Sequence, residues 1–314
     1  MKTFRFVFLF VLLLLLLPGA IFAGGSGEAQ QETKGSITVA SKIDTEGALL
    51  GNMIVHLLED DGFEVVDDTE FGPTDVIREA IISDEIDIYP EYTGNGAFFF
   101  EESDSDVWSE PTSAYERVRD LDLEDNDIVW LSPAPANNTW AIAIRSDLAE
   151  EHSLSSLSDL ADFMNDSGSV KLAASEEFVT REDVLPAFEE EYGFEFSDDE
   201  LLVFSGGNTA MTIQAASQET DGVNAAMAYG TDGQLASLDL TVLEDTEGVQ
   251  PVYEPAPIVR GEVLDEYPEL EDILNPVFEQ LTLETLQELN ARIAVDGEAA
   301  DAVARDWLES NGFL

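Results

Sequence analysis

Apolar residues along this chain recur in short buried-strand runs alternating with longer segments at helical spacing, and that order predicts a layered α/β protein. Ser36-Ile37-Thr38-Val39-Ala40-Ser41 reads as a buried strand, and Asp44-Thr45-Glu46 offers cap residues for a following helix. Leu49, Leu50, Met53, Ile54, Leu57 and Leu58 fall on one face of that helix. Phe63 to Val66 predicts a second strand, Val76 to Ile82 a second helix, and Ile86 to Tyr89 a third strand. Such alternation is the mark of a parallel sheet with right-handed crossovers.

The pattern restarts in mid-chain, without an internal sequence repeat. Trp140 to Ile144, Val170 to Ala174 and Leu201 to Phe204 predict strands, interleaved with helices over Leu157 to Met164, Glu182 to Tyr192 and Thr209 to Gln218. Val223 to Met227 and Thr241 to Leu243 are further strand candidates. After Tyr253 the chain turns helical through Val263 to Leu281, Leu283 to Ile293 and Ala299 to Ser310. These last helices have no sheet of their own, so they are expected to pack back onto the first lobe.

Composition sharpens this picture. Met1 to Ala23 carries Lys2 and Arg5, an apolar run to Leu17, then Pro18 and small residues, the layout of a secretory signal peptide. Its apolar core is shorter than the roughly 20 residues of a membrane span. Residues 24–35 form a Gly, Ser, Glu and Gln leader without periodicity. Removing the signal leaves about 290 residues, enough for two domains. The chain has no cysteine, which excludes disulfides and a lipidated cysteine anchor. Its 13 basic and 67 acidic residues give a net charge of −54. That surface excludes nucleic acid and disfavours anionic membrane as partners. So acidic and lysine-poor a composition points to adaptation to high salt, where screening over about 3 Å at ~1 M weakens self-repulsion.

Enzyme signatures are missing. There is no cysteine nucleophile, paired-histidine zinc motif, Gly-x-Ser-x-Gly elbow or phosphate loop, and no cofactor or metal is implied. His56 and His152 have no sequence-level partner; His56 reads as an ordinary helix residue. Carboxylates are so numerous that any acidic pair could arise by chance, and the sequon Asn137-Asn138-Thr139 is too short to establish glycosylation. What stands out is aromatics at the ends of elements, in Tyr89-Pro90-Glu91-Tyr92-Thr93-Gly94-Asn95, Asn137-Asn138-Thr139-Trp140, Ala228-Tyr229-Gly230-Thr231-Asp232 and Pro251-Val252-Tyr253-Glu254-Pro255. Strand C-termini of open α/β sheets are where ligands bind.

From about Gly35 to the C-terminus these strings, with Ala40-Ser41-Lys42, Pro133-Ala134-Pro135-Ala136 and Gly248-Val249-Gln250-Pro251, resemble the glycine betaine, choline and proline-betaine binding proteins of ABC importers, most closely the OsmF/YehZ branch of periplasmic osmoprotectant-binding proteins. The resemblance implies an aromatic cage of Tyr92, Trp140, Tyr229 and Tyr253 around a quaternary ammonium. It implies carboxylate contacts from Arg181, with Lys42 and Asn95 nearby, and places Glu177 and Asn138 on the pocket wall. Trp140 stands where many relatives have tyrosine, Asn138 where some have aspartate, and Asn95 where some have threonine, differences that bear on ligand choice.

The chemistry agrees. A trimethylammonium group has no N–H to donate, whereas aromatic faces attract it by about 0.5 to 2 kcal/mol per contact. A carboxylate suits the fork of arginine or the point charge of lysine.

The expectation is therefore a two-lobed periplasmic-binding-protein fold of type II, α/β, each lobe a mixed, mostly parallel sheet flanked by helices. Residues 36–134 and 250–314 would form lobe one and residues 135–249 lobe two. The ligand would be a small zwitterionic or cationic quaternary amine, bound with lobe closure. The partners would be an ABC permease and ATPase complex, and the protein a periplasmic monomer that catalyses nothing. The alternatives are another cargo (choline, carnitine, ectoine or an amino acid), a receptor feeding a sensor, and an enzyme on a related scaffold. The charge makes one expectation directly testable: the melting temperature should rise from low to molar potassium chloride as repulsion is screened, and a flat profile would count against salt adaptation.

Overall fold

The computed structural model describes residues 33–102, 106–205 and 209–314; the expected signal peptide, and the expected leader up to residue 32, lie outside the described residues. The first lobe opens with β1 (Ser36–Lys42), α1 (Thr45–Asp60), β2 (Glu64–Gly72), α2 (Thr74–Ile82), β3 (Ile88–Tyr92), α3 (Asn95–Phe99), α4 (Pro111–Asn126) and β4 (Ile128–Trp130). The chain crosses into a second lobe made of β5 (Trp140–Arg145), α5 (Ser146–His152), α6 (Leu157–Asn165), β6 (Leu172–Ser175), α7 (Glu176–Thr180), α8 (Leu185–Tyr192), β7 (Leu201–Phe204), α9 (Thr209–Ser217), β8 (Ala225–Tyr229) and β9 (Leu240–Val242). It returns through β10 (Pro255–Arg260) to α10 (Gly261–Glu266), α11 (Glu269–Phe278), α12 (Leu283–Ala294) and α13 (Ala300–Asn311).

The two sheets share one plan. Their strand orders are β2-β1-β3-β10-β4 and β7-β6-β8-β5-β9. In each, three strands run parallel, and the strand arriving from the other lobe adds antiparallel to the third. A structural repeat thus exists where no sequence repeat is visible, because topology depends on strand order and not on residue identity. The sheets are mixed as expected, but β10, β4 and α4 were not legible in the sequence. β10 contains Pro255 and Pro257, which normally argue against a central strand. Here Leu131 N donates to Pro257 O and Ala134 N to Pro255 O. Both prolines therefore turn their nitrogen side toward the irregular segment beyond β4, where no ladder donor is required.

Helix α1 is buried on nearly every side from Glu46 to Leu58. The sheet covers one side. Leu286 and Leu289 of α12, with Val303, Ala304 and Leu308 of α13, join Leu49, Leu50, Met53 and Ile54 in one apolar cluster. The C-terminal helices do pack back onto the first lobe. His56 bridges α1 to α13: its Nε2 lies 2.9 Å from Asp301 Oδ1, and Arg305 Nη2 lies 2.9 Å from its Nδ1.

The other face of the first sheet carries a buried ion pair. Arg78 Nη1 and Nη2 donate to the two Asp122 oxygens at 2.8 and 2.5 Å. Trp130 Nε1 donates to Asp122 Oδ2 at 2.8 Å, and Asn126 Nδ2 to Oδ1 at 2.9 Å. Asp122→Ala would leave a buried guanidinium and an indole N–H without acceptors. It should cost about 3 to 5 kcal/mol in urea unfolding at fixed high salt, and a loss below about 1 kcal/mol would show that these bonds do not anchor α4 to α2 and β4.

Candidate functional site

The ends of equivalent strands converge between the lobes on one cavity. Lys42 ends β1 and Tyr92 ends β3, while Tyr229 ends β8 and Trp140 begins the antiparallel β5. Tyr253 and Asn138 come from the two crossover segments, and Asn95 and Glu177 from the first turns of α3 and α7. All eight line the cavity, joined by Ile43, Asp44, Pro73 and Thr74. Of the expected site residues only Arg181 is set back from the wall.

The crossovers are tied to each other. Asn138 N donates to Tyr253 O at 2.8 Å, and Tyr253 N to Asn137 Oδ1 at 2.9 Å. Glycine at position 94 permits Tyr253 to lie against the first lobe, since a Cβ there would sit 2.8 Å from its ring. Trp140 and Tyr229, directly paired across β5 and β8, have ring centroids 4.7 Å apart at 48°. Burial first, and neighbouring carboxylates second, raise the Tyr92 and Tyr229 hydroxyls well above their ordinary range. Burial likewise raises that of Tyr253. All four rings are therefore neutral faces at physiological pH.

The charged groups form a connected chain. Lys42 Nζ lies 2.6 Å from Glu91 Oε1 and 4.8 Å from the Tyr92 centroid. Asn95 Nδ2 donates to the same Glu91 oxygen at 2.7 Å, and its Oδ1 accepts from Arg181 Nη1 at 3.1 Å. Arg181 Nε and Nη2 fork onto Asp183 at 2.9 and 2.7 Å, and Nη1 also reaches Glu177 Oε1 at 3.1 Å. Burial alone would lower its pKa, but the bonds to Asp183 and the nearby anions outweigh that and raise it. Its guanidinium lies 4.3 Å from the Phe98 centroid, so this second-lobe arginine rests on the first lobe through Asn95 and Phe98.

Sequence reasoning treated Asp44 only as a helix cap and missed its place in the wall. It does cap α1, accepting from Gly47 N at 2.8 Å, and burial pushes its pKa up. Glu46, Glu91 and Asp183 were missed too, since among 67 carboxylates none stood out, as was the amide of Asn290; their roles arise only from tertiary proximity. Among the described residues no group of histidine, cysteine, aspartate and glutamate side chains is arranged to hold a metal ion, and no helix is long and apolar enough to cross a membrane.

Two sheet-centred lobes with an aromatic-walled cavity between them define a solute-binding protein. The chain belongs to the family described as the substrate binding domain of ABC-type glycine betaine transport systems, whose sequence model matches residues 35–310. It is 52% identical over 301 residues to the glycine betaine-binding protein YehZ of Escherichia coli (strain K12), covering 96% of this chain and 99% of that one. It is 31% identical over 307 residues to a glycine-betaine-binding protein of Pseudomonas aeruginosa, covering 96% and 94%. The solved structure of apo YehZ from E. coli aligns at 55% identity with a TM-score of 0.65, covering 89% of this chain and 99% of that one.

Beneath Tyr229, Asp232 accepts from Tyr229 N at 2.7 Å and from Thr209 Oγ1 at 2.8 Å. Burial pushes its pKa up to about 7, and burial also raises Asp44 and Glu46. Between the ordinary carboxylate range and about 7 the folded chain thus holds a proton at Asp232 that the unfolded chain has released. Stability should fall as pH rises through that window, by up to about 1.4 kcal/mol per pH unit for each such proton. Urea midpoints at constant ionic strength should show this slope and its reduction in Asp232→Asn; equal slopes in the two proteins would remove Asp232 as a cause.

Proposed function

We propose that this chain is the exported, periplasmic binding component of an ABC importer, that it captures a quaternary-ammonium osmoprotectant such as glycine betaine, and that it delivers the ligand chemically unchanged to a permease and ATPase. The observation that carries this reading is the gathering of four neutral aromatic rings, from both lobes and the second crossover, around one cavity whose wall also includes a lysine ammonium. Tyr92, Trp140, Tyr229 and Tyr253 supply faces for an ammonium that cannot be hydrogen-bonded or deprotonated. Lys42 and Arg181, with Asn95 between them, are the groups for a ligand carboxylate, and Glu177 and Asn138 frame the wall. The names of the relatives from E. coli and P. aeruginosa point to the same ligand. The protein would act as a monomer whose lobes close on the ligand about the paired crossovers.

A second reading, a cationic ligand without a carboxylate such as choline, is favoured by two specific observations. Asp44 and Glu177 stand in the wall, and the Arg181 fork is already taken by Asp183.

Calorimetric titration of glycine betaine and choline separates the two. Trp140→Ala should weaken both ligands about tenfold or more. Arg181→Ala should weaken glycine betaine by roughly tenfold to more than a hundredfold and choline much less if the arginine meets a carboxylate. Equal losses would assign it to holding the lobes together. Tighter binding of choline in the wild type, abolished by Asp44→Asn, would establish the second reading. Mass spectrometry should return either ligand intact; a stoichiometric product would refute a purely binding role.

A further inference from the structure

We propose that Glu46 is a positioning residue that tunes the cage through Tyr92: its buried carboxylate orients the Tyr92 ring and enriches it electronically for an ammonium. The inference rests on the ammonium-binding reading of the cavity. Glu46 is not part of the cavity wall and is only 4% exposed. Its Oε1 accepts from Tyr92 Oη at 3.0 Å and from Asn138 Nδ2 at 2.8 Å. Its Oε2 accepts from Asn290 Nδ2 at 2.7 Å, and that same amide nitrogen reaches Thr231 O at 3.2 Å. One carboxylate thereby joins α1, the end of β3, the first crossover and α12, and through Asn290 touches the second-lobe loop two residues past Tyr229.

Burial favours the protonated form of Glu46, and the hydrogen bonds it accepts oppose that; two further features favour the anion. Among the described residues the buried Oδ1 atoms of Asn138 and Asn290 have no hydrogen-bond partner, and both amides instead aim their N–H groups at Glu46. Bonds to an ionised acceptor are roughly twice as strong as neutral ones, which offsets such a loss. Glu46 also lies in the first turn of α1, where the free backbone N–H groups favour negative charge. A phenol donating to a carboxylate gains electron density on its ring, and cation–π attraction grows with the negative potential of the ring face. The Tyr92 ring already has one ammonium beside it, that of Lys42.

The test is a double-mutant cycle read with two kinds of ligand. Wild type, Glu46→Gln, Tyr92→Phe and the double variant are titrated with glycine betaine and with choline. Each is compared with its analogue in which a tert-butyl group replaces the trimethylammonium group. Glu46→Gln should weaken the ammonium ligands by about fivefold or more and the tert-butyl analogues by less than about twofold. In the Tyr92→Phe background it should add less than about a further twofold. Equal losses for charged and uncharged head groups would reduce Glu46 to a packing role and overturn the proposal, as would losses that simply multiply in the double variant. A wild type that binds neither quaternary amine would instead overturn the functional reading, and this inference with it. Binding in the wild type with no change in Glu46→Gln would overturn this inference alone.

Discussion

A carboxylate with no exposed surface, Glu91, is the interaction on which the rest of the site depends. It sits in β3, whose five residues are all buried, and an ion in such a place is tolerated only when every acceptor position is filled. Tyr89 Oη donates to Oε2 at 2.9 Å, while Tyr92 N, Asn95 Nδ2 and Lys42 Nζ converge on Oε1 at 2.6 to 2.7 Å. Satisfying Glu91 therefore fixes Lys42 at the end of β1, the turn at Tyr92 and the first residue of α3 together. Asn95, held by its nitrogen, is left with one oxygen to offer, and Arg181 takes it from the other lobe. The contact between lobes on this side is thus a consequence of neutralising one buried ion.

The same economy governs the other cations. With 13 basic residues against 67 acidic ones, a lysine or arginine inside the fold is always within reach of an anion. Arg78 is committed to Asp122 and Arg181 to Asp183. Arg260, at the end of β10, meets Asp84 and Asp87 beside β3. Exposed pairs such as Arg119 with Asp120 contribute little. The committed ones matter because removing either partner strands a charge in low dielectric. Acidity at the surface and ion pairing inside are therefore separate properties: the first sets behaviour in salt, the second sets where elements meet.

Much of the fold was legible because β1, α1, β5, α6 and β7 obey simple periodicities, and their observed limits lie within a residue or two of the expected ones. What was not legible had specific causes. β10 is masked by two prolines whose missing donors face an irregular segment. β4 is three residues long, and α4 lacks a strong apolar stripe, burying only Ala114, Val118 and Asp122. The wall aromatics stood out at the ends of elements, and the resemblance to the betaine-binding family is what named them as a cage. Asp44 and Glu46 did not stand out, because a carboxylate in the first turn of a helix is fully accounted for by capping and dipole. Only the proximity of Tyr92, Asn138 and Asn290 gives Glu46 a second role.

The shared plan of the two sheets explains why the aromatics meet at all. In each lobe the antiparallel strand arrives from the opposite lobe and aligns its first residue with the last residue of the third parallel strand. Trp140 thereby faces Tyr229, and Pro255 faces Tyr92 with Tyr253 two residues upstream. The four rings thus mark the two places where the chain passes between lobes, rather than four independent positions on two surfaces. Because Asn138 and Tyr253 bond each other across those passages, the backbone that joins the lobes is itself cavity wall. The shape of the cavity and the relative placement of the lobes are therefore one variable, not two.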